Sequence, residues 1–225
     1  MNESSCPNPM PPPVPIGVDP KPFAICREFM RFCYDLLGAY LDALAGLEAI
    51  RSELVRRQKA KIDELKETQP EKASEEFMDQ QVLDHRFPAD QHNPEELLHR
   101  STQGEFKRRT APGGSVARFL GHMMVALLYG AWEDNYRQKV ASSLGHSDKN
   151  ALKSDLFQDI AKLRQAILHN QGEATEEAER AKVLHWFQRG DEIYISPDRT
   201  RQLLDEIDAY VTELYGIQST ETQRT

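Results

Sequence analysis

Long apolar runs are missing from this chain of 225 residues. A membrane-spanning helix needs about 18 or more consecutive apolar residues, so none is expected. Cysteine is scarce: Cys6, Cys26 and Cys33 are an odd set without metal-type spacing, which excludes a disulfide framework or a zinc finger. The expected state is reduced, buried thiols in a cytoplasmic protein, with Cys26 and Cys33 on one side of a helix. An excess of positive charge is also lacking, since 28 Lys and Arg stand against 36 Asp and Glu, a net charge of −8. That balance argues against general nucleic-acid binding. It leaves room for a short RNA contact in a locally basic cleft, or for a small-molecule or protein partner. Met1 to Pro22 is polar and proline-rich, with neither a basic start nor an apolar centre, so no signal peptide is expected there. Gly-rich phosphate loops and a Ser-His-Asp order are absent, which removes kinase and serine-hydrolase readings, and no cofactor is expected.

What is present is helical rhythm. Pro11-Pro12-Pro13-Val14-Pro15 can form neither helix nor sheet, so residues 1–21 are expected to be an extended tail. Pro22 suits a first helical turn. From there Phe23, Cys26, Met30, Cys33, Leu37, Tyr40, Leu44, Leu47, Ile50 and Leu54 recur at steps of three and four, which predicts one long amphipathic helix to about Glu67. Its charged second half, Arg56 to Lys61, is expected in solvent. Between 68 and 114 the rhythm weakens, and Pro70, Pro88, Pro94 and Pro112 punctuate an irregular insertion with short helices near Glu71–Gln81 and Pro94–Arg100. His85, His92 and His99 repeat every seven residues, but the intervening Pro88 and Pro94 break the helix that a metal site would need, so no metal is expected. Phe106-Lys107-Arg108-Arg109 is the densest basic patch beside an aromatic residue. It reads as a solvated loop before it reads as an RNA contact.

A second helix is predicted from Ser115 to Leu144, stopped by Gly145, with Phe119, Leu120, Met123, Met124, Leu127, Leu128, Ala131 and Val140 on a wide buried face. A third runs from about Asn150 to His169, with Leu152, Leu156, Phe157, Ile160, Leu163 and Ile167 inward and Gly172 as its stop. Thr175–Lys182 is charged, either a helix or a loop. Val183–Phe187 and Ile193–Ile195 flank Arg189-Gly190-Asp191-Glu192 and read as a small β-hairpin. Ser196-Pro197-Asp198 opens the last helix, whose face is Leu203, Leu204, Ile207, Tyr210, Val211 and Leu214. The expected fold class is all-α, a bundle of about four long helices with a small β-hairpin, forming one domain over 22–216 with a frayed end at 217–225.

The segment with most chemical content is Arg164-Gln165-Ala166-Ile167-Leu168-His169-Asn170. An Arg and a His brought together can cleave RNA without metal: the His moves a proton at the ribose 2′-hydroxyl and the Arg holds charge on the phosphate. Spacing alone is not specific, because Arg180 and His185 have the same separation and Arg86 and His92 one residue more. Only Arg164 and His169 sit on a strong helical pattern that then stops. On a regular helix five positions rotate by about 140°, so the pair converges only if the helix loosens near His169 or a partner chain completes the cleft. Simpler readings exist for each residue. Arg164 would pair with Asp159 or Glu133, and His169 with Asn170 would cap a helix end. Glu133 and Arg137 would be an intrahelical pair, and Trp132, Tyr136 and Trp186 would be core.

Ala131-Trp132-Glu133-Asp134-Asn135-Tyr136-Arg137 on one helix, followed by a helix ending Arg164-x4-His169-Asn170, resembles a HEPN domain over roughly 115–216. The resemblance does not explain the proline-rich tail or 68–114. It implies an all-α bundle that forms a homodimer with two motifs around one cleft. It further implies a metal-independent endoribonuclease of toxin–antitoxin or phage-defence systems, with RNA as substrate and an antitoxin or other defence protein as partner. By position, His169 would be the general base or acid and Arg164 the phosphate ligand. Asn170 would orient His169 or contact RNA, and Glu133, with Asp134 second, would be the supporting acid. Attack by the 2′-hydroxyl would leave a 2′,3′-cyclic phosphate, so DNA would not be cut. Other members of the family have lost catalysis, so a non-catalytic module that binds a protein or nucleotide is the alternative, and a structural helical adaptor is a third.

Overall fold

A computed structural model describes residues 20–87 and 96–221 of the chain, with side chains described for 23–86 and 96–214. The proline-rich tail, Cys6, His92 and residues 222–225 lie outside the described residues. The described chain is mostly helical, with one two-stranded antiparallel sheet. In order, the elements are α1 (Pro20–Thr68), α2 (Glu75–Asp79), β1 (Val82–Phe87), β2 (Glu96–Thr102), α3 (Gln103–Thr110), α4 (Ser115–Ala131), α5 (Arg137–Ser143), α6 (Asp155–His169), α7 (Glu176–Glu179) and α8 (Pro197–Glu221). Among the described residues no helix is long and apolar enough to cross a membrane.

The chain divides into two compact units, with boundaries inside α1 after Leu37 and inside α4 after Met123. The first unit comprises the start of α1, residues 124–193, and α8. Its core is largely the face anticipated from periodicity, with Cys33 and Leu37 from α1, Leu128 from α4, Ile160 and Leu163 from α6, and Leu203 and Ile207 from α8, to which α1 adds Phe29, which that periodicity did not include. Cys26 and Cys33 are both buried free thiols, and burial pushes the Cys33 thiol well above its ordinary value. The continuous helix expected through Leu144 is interrupted: Trp132–Tyr136 forms a π turn between α4 and α5, and Gly145, at φ 83°, ends α5. A π turn inserts one extra residue into the helix, and Trp132 and Tyr136 within it are both buried. The third long helix starts at Asp155 rather than near Asn150. Ser154 caps it, accepting from the Phe157 N–H, and a short 3₁₀ turn, Lys149–Ala151, precedes it.

The second unit holds residues 38–123 and 194–196. Along its part of α1, ion pairs three and four residues apart support a helix with little to bury: Glu53 with Arg56 at 2.7 Å and Arg57 at 2.6 Å, Lys61 with Glu64 at 2.7 Å, and Asp63 with Lys66 at 2.8 Å. Ile50, expected on the apolar face, is exposed. Only Tyr40, Gln58 and Leu65 of this stretch are buried.

Three expectations are corrected. The β-hairpin is β1–β2, not 183–195, and it occupies the insertion where a short helix was expected over Pro94–Arg100. Its register runs from Val82 opposite Thr102 to His85 opposite His99, then shifts so that Arg86 faces Leu97. The segment 183–195 does not pair with itself because its donors are taken. The N–H groups of Lys182, Val183 and Leu184 point to the Asp159 carboxylate at 2.8, 2.7 and 3.2 Å, and the Ile193 N–H goes to the Gly172 carbonyl at 2.7 Å. The basic patch Phe106–Arg109 is helical, within α3, and Phe106 is buried. A capping box starts that helix: Thr102 Oγ1 accepts from the Glu105 N–H, and the Glu105 carboxylate accepts from the Thr102 N–H.

The wide buried face of α4 is the third correction. Met124 and Leu128 are buried, but Phe119, Met123 and Leu127 are 62, 46 and 54% exposed. The inward positions around them are small ones. Ala117 and Gly121 face Tyr40, whose hydroxyl donates to the Ile195 carbonyl at 2.6 Å, and a Cβ on Gly121 would come within 3.0 Å of that hydroxyl. Close approach there requires small residues, which leaves the large side chains on the other face. At the far end, α8 continues past Gly216 to Glu221.

Candidate functional site

The candidate residues sit on α6 and on the π turn, both in the first unit. Leu156, Phe157, Asp159, Ile160, Leu163 and Ala166 form the buried face of α6 and fix its rotation. Arg164 is thereby half-buried, and Leu168, His169 and Asn170 face solvent. The helix stays regular through His169. Asn170 leaves helical geometry at φ −125°, and Gln171 and Gly172 follow in the left-handed region at φ 55° and 80°. The Ala166 carbonyl accepts from both the Asn170 N–H at 2.9 Å and the Gly172 N–H at 3.3 Å, which closes the helix end. Loosening therefore comes only after His169. Arg164 and His169 stay about 140° apart around the axis, and of the two routes to a shared cleft only completion by another chain remains.

Each side chain has a definite local role. The Arg164 guanidinium lies 5.5 Å from the centre of the Tyr129 ring, a cation–π contact, and makes no ion pair among the described residues. Neither Asp159 nor Glu133 is its partner. Asn170 Nδ2 donates to the Glu173 carbonyl at 2.9 Å, so its amide holds the following loop. Glu133 is clamped by Arg137 Nη1 at 2.8 Å and Lys149 Nζ at 2.8 Å, so the intrahelical pair read from the sequence is present with a second cation added. Burial alone would raise the Glu133 carboxyl, but its bonds to Lys149 and Arg137 hold it below the usual carboxylate range. Glu133 is thus an anion that ties the π turn to the Lys149–Ala151 turn. Asp134 is exposed beside it. Among the described residues no hydrogen bond or ion pair joins any two of Arg164, His169, Asn170 and Glu133.

Sequence reasoning missed Tyr129 and Lys149, and it offered Asp159 only as a partner of Arg164. Tyr129 and Lys149 reach Arg164 and Glu133 from other elements, so no local spacing announces them. Asp159 is 1% exposed and accepts three backbone N–H bonds plus Lys162 Nζ at 2.9 Å. Burial would raise its carboxyl, but the N–H groups of Val183 and Leu184 and the Lys162 ammonium hold it below the usual range. An acidic residue at an otherwise apolar phase of α6 was the available signal. His85 and His99 are cross-strand neighbours with ring centres 5.9 Å apart, and no group of metal-binding side chains forms among the described residues.

Compared with known proteins, the chain matches no family model, no curated protein and no solved structure.

Proposed function

We propose that this chain is a metal-independent endoribonuclease of HEPN type, acting as a homodimer in the cytoplasm within a toxin–antitoxin or phage-defence system. The observation that carries the reading is the state of the α6 end. Arg164 is held against Tyr129 rather than neutralised by a carboxylate, and His169 is exposed five positions later. Leu168, 51% exposed, lies one turn from Arg164, an apolar side chain suited to cover by a second copy. In such a cleft His169 takes the proton of the ribose 2′-hydroxyl as its oxygen attacks phosphorus. The bond to the 5′ oxygen breaks, an imidazolium returns a proton to that oxygen, and Arg164 holds the charge of the phosphorane. The products are a 2′,3′-cyclic phosphate and a 5′-hydroxyl.

A second reading is a non-catalytic HEPN-like module that binds a protein or nucleotide. Its support is the separation of Arg164 from His169 together with the commitment of Asn170 and Glu133 to structural bonds. Incubation of a mixed RNA pool with the protein in EDTA separates the two. Cleavage that persists in chelator and disappears in both Arg164→Ala and His169→Ala supports the nuclease. No cleavage by folded, dimeric protein favours the binding module, and equal cleavage by all three proteins rules out this site.

A further inference from the structure

The second unit contains a cavity of about 580 Å³ between β2, α3 and the start of α4. Its lining is unlike the chain as a whole: Arg108, Arg109 and Arg118 converge there with His99, Ser101 and Ser115, in a protein of net charge −8. Two acidic groups nearby among the described residues are already engaged. Glu105 is bound to the Thr102 N–H of the capping box, and Asp84 holds the neighbouring Arg100 through bonds of 2.7 and 3.0 Å. The amino end of α4 opens on the same cavity at Gly114 and Ser115, so the first-turn N–H groups of a helix from Ser115 to Ala131 add partial positive charge. Gly114 makes this possible, because a Cβ there would come within 2.5 Å of the Arg108 carbonyl and 2.6 Å of the Arg109 carbonyl.

Two further features mark the cavity as built for a ligand. Ser101, only 8% exposed, lines it, and the Ser101 hydroxyl has no hydrogen-bond partner among the described residues. A buried hydroxyl without a partner costs free energy, and a ligand acceptor would remove that cost. Arg109 is pre-positioned: its Nη1 donates to His99 Nε2 at 2.7 Å, its guanidinium lies 5.5 Å from the Phe106 ring centre, and its buried Nε has no partner among the described residues. Guanidinium forks, a hydroxyl and a helix amino terminus are together the donors that a tetrahedral oxyanion uses.

We propose that this cavity binds a phosphate group, delivered as inorganic phosphate or as the phosphate of a mononucleotide. The volume falls within the range of small-molecule sites, about 300–1,000 Å³. This site is independent of the α6 reading.

The test is calorimetric titration of the full chain, in chloride buffer, with inorganic phosphate, AMP and adenosine. Saturable binding of phosphate or AMP, but not of adenosine, is expected. Equal affinity for phosphate and AMP assigns the free anion, and AMP at least tenfold tighter assigns the nucleotide; both support the site. Arg108→Gln, at an exposed position, should weaken binding by about tenfold or more. Ser101→Ala should weaken it several-fold while leaving the melting temperature equal or higher, since it deletes an unpartnered hydroxyl. Absence of binding, adenosine binding as well as AMP, or unchanged affinity in both Arg108→Gln and Ser101→Ala would overturn the proposal.

Discussion

At the centre of the first unit, Trp132 stacks on Phe157 with ring centres 4.2 Å apart and planes at 13°, and Phe29 and Tyr210 meet Trp132 at 5.2 and 5.6 Å. The second unit has a polar counterpart. Gln58, 3% exposed, donates to Asp79 at 2.9 Å and to Gln103 at 3.0 Å and accepts from Lys107 at 3.0 Å. Aromatic packing is rewarded in proportion to area and shape, whereas a buried polar cluster is rewarded only when every donor and acceptor is matched. The aromatic cluster therefore depends on the size of its side chains, and the Gln58 cluster on the completeness of its bonds.

Substitutions that attack one chemistry at a time test this contrast. Trp132→Ala has the largest expected effect, a loss of about 3–5 kcal/mol in urea unfolding, because no small side chain fills the space between Phe29, Phe157 and Tyr210. A loss below about 1 kcal/mol would mean that the aromatic cluster is not the keystone. Asp159→Asn sharpens the comparison, since Asp159 is the buried polar exception in the aromatic unit. It should cost about 2–3 kcal/mol at neutral pH, the worth of hydrogen bonds to a charged group. The Asp159 carboxyl is depressed in the folded state. Its contribution is thus fully present above the ordinary aspartate value of about 4 and lost as pH falls through the folded value. Thermal melts across pH 2–7 should show a shallower acid limb in Asp159→Asn than in wild type, with pH values about these limits set by that shift. Gln58→Ala is the smallest, about 1 kcal/mol, because Asp79 and Lys107 keep their own ion pair at 2.5 Å. Amide hydrogen exchange should show its effect confined to α2, α3 and the facing part of α1.

Legibility in the sequence followed locality. The long first helix, the α6 core face and the opening of α8 at Pro197 were readable because periodicity and capping act within a few residues. The hairpin was misplaced for a non-local reason. Val183–Phe187 has strand composition, yet Asp159, 24 residues before Val183, takes its N–H donors. Strand propensity reflects fit to a pleated surface and yields when the donors are taken elsewhere. The candidate site divided in the same way. The Glu133–Arg137 pair was local and legible, while the Tyr129 ring under Arg164 and the Lys149 ammonium on Glu133 were brought by other elements.

By itself the sequence determined that this chain is helical, where the long helices α1, α4 and α8 open, and that Arg164 and His169 lie five positions apart on one helix that ends near His169. Those outcomes rest on propensity, caps and rotation per residue, all local quantities. Tertiary structure alone decided which face of α4 is buried, because apolar residues occupy both faces and the choice went to the side where Ala117 and Gly121 admit Tyr40. It also decided where each spare backbone donor goes and which arginines gather around one unpartnered serine, since those pairings form between residues that only folding brings within bonding distance.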